Sequence, residues 1–436
     1  MGDTSLNYLK AVQTYQESGL AYLGNSFAYI ANANKKFLNF ERLTANLGDT
    51  VTFDTQPLFS GTNSLVANFG PAVQKVETLT VNQEYSVGFA FSAQQFIFNA
   101  KEYMVKFGKS AQRKLATKVE ENSLSNILTS TYRYFGDGST AINSYGQLAK
   151  SLAYYRNYGH TNDGIKMFIP DISEPAIVST GLQQFVLKRN EESANSWEIG
   201  NYQGCDFLRS NLLPIQYAGS CGVKGDVLTV TSIHRQSDGG IDYVVCSGVT
   251  TSTVAAVNAG DCFSFQDGVT NKQNLRFMTY EGQVPSSCPV QCRVTTTATP
   301  DTGSVQINLS PVLYDLYAVE TSAHDGTIDP DKAYLQNVNI TITTGTQIKL
   351  ANSHIAGCIV DGNAAFLAMP QLPEEIPFPT ANMRDADSGL SFRQYYGSKF
   401  AENQRGMVHD CIWGNRIVPQ YAMRICFPLD VGGSLT

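Results

Sequence analysis

Gly204-Cys-Asp-Phe-Leu-Arg-Ser-Asn-Leu-Leu-Pro214 is the stretch that decides how this chain is read, because the character of the sequence changes just behind it. Ahead of it lie helix-like segments with charged faces. From Val223 to about Pro311 the text becomes short Val, Thr and Ile runs broken by Gly, Asp and Ser, and after Tyr334 a mixed pattern returns. The spacing predicts strands at 226–234, 241–247, 261–266, 274–280, 290–298 and 304–309, separated by turns such as Asp238-Gly-Gly240 and Asp267-Gly268. Several short strands spaced this way make a small barrel or sandwich. A β-rich module is therefore expected inside a host domain.

Working outward toward the N-terminus, Leu6, Leu9 and Val12, then Phe27 and Ile30, recur at helical spacing within 4–43, interrupted by Gly19 and Gly24. This predicts an arm that docks on a neighbouring surface. A strand follows from Leu47 to about Gln56, then an irregular stretch through Gly61 and Gly70-Pro71. Leu79, Val81, Tyr85, Val87, Phe89 and Phe91 fall on alternate positions, the period of a half-buried strand. Ser92 and Gln95 fit a capping box that opens a long helix over 93–130, with Phe96, Ala100, Tyr103, Phe107, Ala111, Leu115 and Val119 as its apolar stripe. The other face carries Lys101, Lys106, Lys109, Arg113, Lys114 and Lys118 against Glu102 alone, in a chain whose net charge is −7. A solvated helix face is the plain alternative for such a run.

Gly136-Asp-Gly138 is expected to break this helix. A second helix is predicted over 145–158, a strand at Ile165, Met167 and Ile169, and a third helix from Ser173 to about Arg189. That order indicates an α+β host. Beyond Tyr334, NVNITIT and IAGCIVDGNAAFLAM read as strands, and the last 45 residues as two β segments.

At 436 residues the chain has room for two or three domains and can bury a core without disulfides. Charged residues make up 16%, below the roughly 25% of an average soluble protein. Interface cores are depleted of charge, so this deficit fits a surface largely covered by partners. A net charge of −7 excludes the global basic footprint of a dedicated nucleic-acid binder. No apolar run approaches the length of a membrane span, and MGDTSLNYLK lacks the pattern of a secretory leader. All nine cysteines lie between Cys205 and Cys426, an odd set at irregular spacing that predicts reduced thiols.

The chemistry is sparse. His160, His234, His324, His354 and His409 stand apart in the sequence, and no HExxH, Walker A or GxGxxG pattern occurs. Ala218-Gly-Ser220-Cys-Gly222 approaches a nucleophile elbow, but that motif needs a strand before it and a helix after it. Here the following residues read as strand, so a flexible hinge is expected. Cys288 and Cys292 lack a second ligand pair for zinc. Asp385 and Asp387 lack the third acid and the closing Glu of a calcium loop. No catalytic, metal or cofactor site is expected.

The order of parts resembles the major capsid proteins of tailed bacteriophages, of the short-tailed type that carries an inserted telokin-like β-barrel. The seam residues Gly204, Asp206, Leu208, Arg209, Ser210, Leu213 and Pro214 carry the resemblance, with Gly260-Asp261-x-Phe263-Ser264-Phe265, Ile307-Asn-Leu-Ser-Pro311 and Asn337-Val-Asn339. The resemblance implies an α+β fold shared with herpesvirus major capsid proteins. It divides the chain into an N-terminal arm (1–45), an extended loop (46–90) and a spine helix with peripheral domain (91–140). An axial domain (141–220), the inserted barrel (221–333) and the returning axial and peripheral parts (334–436) complete it. The implied function is self-assembly into pentamers and hexamers of an icosahedral head. Implied partners are other copies of the chain, a scaffolding protein, a portal, a decoration protein and packaged double-stranded DNA held non-specifically, with no membrane. The implied location is the virion capsid, assembled in the host cytoplasm, with the basic spine facing the lumen or the scaffold. A β-rich binding or enzymatic module and an encapsulin-like cellular shell are the alternative readings.

Overall fold

The computed structural model describes residues 27–35, 48–54, 76–159, 164–179, 198–202, 204–250, 254–266, 274–280, 282–321, 324, 326–329, 331–362, 364–372, 380–384, 389–399 and 404–429. The fold is α+β, with a small closed barrel set into it. The host's central sheet takes Tyr134–Phe135, Ile165–Pro170 and Cys205–Ser210 from before the barrel, and His354–Val360 and Ala422–Pro428 from after it. Ile165–Pro170 pairs in parallel with Cys205–Ser210 and antiparallel with His354–Val360. The two halves of the chain are therefore hydrogen-bonded to each other, and the barrel leaves and re-enters one continuous sheet.

The seam motif forms the strand next to one edge of this sheet, between Ile165–Pro170 and the edge strand Glu198–Tyr202. Leu208 is buried in the host core, Leu213 packs at its edge, and the Pro214 carbonyl accepts the Ala356 amide at 2.9 Å. Gly204 turns into the strand at φ +72, a left-handed value that costs glycine no Cβ clash. Asp206 lies within the strand, Arg209 pairs with Glu174 at 3.1 Å, and the Ser210 hydroxyl accepts the Leu212 amide.

The barrel is antiparallel, in the order Ile241–Ser247, Ser304–Leu313, Gln291–Val294, Cys262–Gln266, Gln347–Leu350 and Val227–Arg235. Its closing strand, Gln347–Leu350, lies past residue 333, so the barrel extends beyond the boundary expected from the change in composition. Residues 337–343, expected as a strand, are irregular instead, with a single isolated bridge from Val338 to Phe277. Asn337 and Asn339 explain this: their side-chain carbonyls accept the Tyr314 and Arg276 amides, and their NH2 groups donate to Val312 and Asn274. Arg276–Met278 pairs outside the barrel with Pro285–Pro289.

The long helix, Ala93–Ser130, has 38 residues, about 57 Å at 1.5 Å per residue. It lies on a second sheet in which Gln404–Ile417 pairs with Gln83–Ser92 along ten residues and with Ser391–Lys399 on its other edge. Ala111, Leu115 and Val119 are buried as expected, joined by Ala116, Leu124 and Ile127, whereas Phe107 is 40% exposed. Only backbone is described for 91–106, so the capping box at Ser92 and Gln95 and the stripe from Phe96 to Tyr103 fall outside what can be compared. The helix stops at Ser130, ahead of Gly136. Gly136 and Gly138 are not loose joints: both have positive φ, and a Cβ there would meet the Cys426 and Asn352 carbonyls at 2.9 and 2.7 Å.

Thr50–Asp54 and Val76–Thr80 form an antiparallel ribbon. Along the strand that follows, Tyr85, Val87 and Phe89 are half-buried and alternate with exposed neighbours. Ser144 caps the helix Tyr145–Arg156 by accepting the Gln147 amide. The helix predicted over 173–189 is described only as Glu174–Ser179, and three strands, rather than two, cover the described C-terminal part. Residues 1–26, most of the arm, and Asp385 and Asp387 lie outside the described residues.

Candidate functional site

Three places could carry function: the basic face of the long helix, the junction between barrel and host, and a cleft beside that junction. On the helix, Lys109, Arg113 and Lys114 are exposed on the side opposite Leu115 and Val119. Lys118 pairs with Glu121 at 3.1 Å. Among the described residues no ion pair engages Lys109, Arg113 or Lys114. The backbone of Lys101 and Lys106 continues the same helix, while their side chains lie outside the described residues. The helix thus presents at least three exposed cations along one face.

The junction is a network of buried polar groups. Asp261 accepts the Gly219 amide (2.9 Å), the Asn258 amide (2.8 Å) and Gln216 Nε2 (2.8 Å). Burial raises its carboxyl above the usual range, against those bonds and the nearby Arg424. Gln291 in the barrel pairs with the Tyr134 backbone in both directions, at 3.0 and 2.8 Å. Arg424, wholly buried, donates to Gly260 in the barrel, to the Ile127 and Leu128 carbonyls of the long helix and to the Thr131 hydroxyl. It caps the last turn of that helix, whose final carbonyls have no intrahelical donor.

This network corrects the reading of 218–222 as a flexible hinge. Ser220–Lys224 is a short helix whose Ser220 and Cys221 amides are bonded to the Ala255 and Ala256 carbonyls. A Cβ on Gly219 would sit 2.4 Å from the Ala256 carbonyl. Among the described residues no base addresses Ser220 Oγ, which is buried beside the Cys221 thiol.

The cleft, about 370 Å³, is lined by Tyr132, Tyr158 and Gln420 of the host and by Phe277, Tyr280 and Tyr314 of the insert, among others. Its Glu77 is held by Arg416 at 2.7 Å, and no nucleophile–base pair faces it among the described residues. Among the described residues no group of three metal-ligating side chains exists. The nine cysteines are free and buried, and burial pushes Cys205, Cys246 and Cys358 up to about 12, which makes them poor nucleophiles. Burial holds His354 down to about 3 and His409 down to about 4. No helix among the described residues is long and apolar enough to cross a membrane.

Sequence reasoning passed over Arg424 and Gln291. The one available signal for Arg424 was a lone cation inside the apolar run MRICF.

No protein-family profile matches the sequence, and no curated protein matches it. Solved structures similar to it include a chain from Mycobacterium phage Che8 (9% identity, 92% of this chain and 91% of that one, TM-score 0.42). A chain from the capsid structure of the cyanophage P-SCSP1u is similar at 10% identity over 91% and 90%, TM-score 0.40. A virus-like particle from Pyrococcus furiosus is similar at 7% identity over 95% and 98%, TM-score 0.39.

Proposed function

We propose that this chain is a major capsid protein, the repeating subunit of an icosahedral phage head around double-stranded DNA. The observation that carries this reading is the threading of the chain. A long helix lies on a sheet edged by an extended ribbon, and a closed barrel is inserted between two halves of one central sheet. That is the order of parts implied by the resemblance read from the seam motif. The exposed basic face at Lys109, Arg113 and Lys114 supports the reading as a surface for an acidic partner.

In this reading the ribbon and its tip (46–90) reach a neighbouring subunit, and the helix is the spine of the peripheral domain. The central sheet belongs to the axial domain around each capsomer axis. Lys109, Arg113 and Lys114, with Lys101 and Lys106 ahead of them and Lys118 behind, face an acidic scaffold during assembly and then DNA. A portal and a decoration protein complete the partners, and assembly takes place in the host cytoplasm. Contacts between copies can each be weak because a closed shell multiplies them.

Electron microscopy of the expressed chain, alone and with a candidate scaffolding protein, tests the reading. Closed shells, spirals or curved sheets tens of nanometres across are expected. Uniform monomers or dimers under both conditions would reject it.

A further inference from the structure

The cleft beside the junction has a wall of aromatic rings. Phe277 stands edge-on to Tyr132 and Tyr158, with ring centroids 5.8 and 6.0 Å away, and Tyr280 continues the row 6.5 Å from Tyr158. Host and insert hold this wall together. The Tyr280 amide donates to the Tyr158 carbonyl, the Asn337 and Val338 amides donate to the Tyr314 carbonyl, and the Tyr132 and Tyr158 hydroxyls bond each other. Tyr280, Tyr314 and Tyr334 are half-buried, so each keeps surface open to solvent.

Three polar side chains in the same lining have no hydrogen-bond partner among the described residues: Gln420, whose Nε2 is buried, Gln283 and Tyr334. A buried donor left unpaired is costly. Gln283 carries a second cost, a backbone φ of +47, the left-handed region that a residue with a Cβ seldom adopts. Its turn imposes that value: the Gln283 amide donates to the Thr279 carbonyl and the Val284 amide to Thr279 Oγ1. Backbone strain of this kind gathers where side chains meet ligands.

The charge of the lining narrows the ligand. Glu77 is neutralised by Arg416, and no Lys or Arg lines the cleft among the described residues. Phosphates and carboxylates therefore find no counter-charge, and a hydrocarbon would leave the amides unpaired. A polyproline strand, the other ligand of aromatic grooves, would leave the amide oxygens without donors. Aromatic faces beside amides that both donate and accept match a pyranose, whose C–H face packs on a ring while its hydroxyls bond the amides.

We propose that this cleft binds a short neutral saccharide, with Tyr334 packing on a sugar ring and Gln283 and Gln420 bonding its hydroxyls. A cavity of about 370 Å³ at the boundary between two folded units has the size and place usual for a small-ligand site. The site lies within one subunit, so it stands apart from the capsid reading.

Saturation-transfer NMR of the full-length protein tests this, with maltose, cellobiose, lactose and chitobiose as probes and glucose 6-phosphate and decaproline as comparisons. Transfer to the ring C–H protons of at least one disaccharide is expected, and none to the two comparisons. Y334A and Q420L should each weaken that binding roughly tenfold. Q283G removes the side chain and relieves the left-handed strain, so it should bind roughly tenfold weaker yet unfold no earlier than the wild type. Silence toward all four disaccharides, a preference for the phosphate or the decaproline, or affinity unchanged in the three variants would each overturn the site. A Q283G protein that unfolds early would make Gln283 a structural residue and overturn its assigned role. Should Y334A or Q420L fail to fold, Q283G still decides.

Discussion

Arg424 connects the C-terminal strand, the end of the long helix and the barrel through one guanidinium. Replacing it with Met keeps much of the bulk and leaves the Gly260, Ile127 and Leu128 carbonyls without their donor. The loss should be about 3–5 kcal/mol, the range for breaking a buried charged network. Urea unfolding checks it, and Arg424→Lys, with fewer donors, should recover only part. His409 makes the stability of the fold depend on pH. Its folded-state value of about 4 lies below the ordinary imidazole range near 6.5. The unfolded chain therefore takes up the proton first, and stability falls as pH drops from 6.5 toward 4. Between pH 7 and pH 5 this site should remove on the order of 2 kcal/mol. His409→Leu should flatten that portion of the curve, whereas an unchanged slope would assign the acid sensitivity elsewhere.

At the scale of the element, the long helix divides its labour by face. Positions 111, 115, 116, 119, 124 and 127 bury apolar groups, while Lys109, Arg113 and Lys114 point away from them. The 3.6 period made that division readable from the sequence for the second half of the helix. The end of the helix at 130 was readable as well, but the group that caps it was not, because the donor comes from residue 424 rather than from the glycines that follow. Lys109→Glu, Arg113→Glu and Lys114→Glu combined should leave thermal unfolding within a few degrees of wild type, since exposed charges contribute little to stability. Scaffold-directed assembly or genome retention should fall at least tenfold. Unchanged phage yield would show the basic face to be merely solvated.

At the scale of the whole molecule, the barrel is bonded into the host. Tyr132 and Tyr158 of the host pack in the barrel's own hydrophobic cluster, and Tyr134 and Cys426 pack against Cys262 and Ala351. Excising 221–333 would leave Gln347–Leu350 as an unpaired strand, take the Gly260 acceptor from Arg424 and take the Gln291 partner from the Tyr134 backbone. The product should aggregate, as measured by the soluble fraction after expression. A soluble, assembly-competent deletion would show the insert to be dispensable for folding.

The sequence by itself determined the class of structure. Alternation at Tyr85, Val87 and Phe89, the helical stripe from Ala111 onward, and the run of short strands behind Pro214 are local periodicities, and each survives because every residue in it meets the same kind of surface. Only the tertiary structure decided where the barrel closes, why 337–343 are irregular, and which charges are buried. Those outcomes depend on partners dozens to hundreds of positions away: Asn337 with Tyr314, Gln291 with Tyr134, Glu120 with Tyr29, Arg424 with Gly260. A buried polar group is stable only when such a partner arrives, and no local pattern records that arrival.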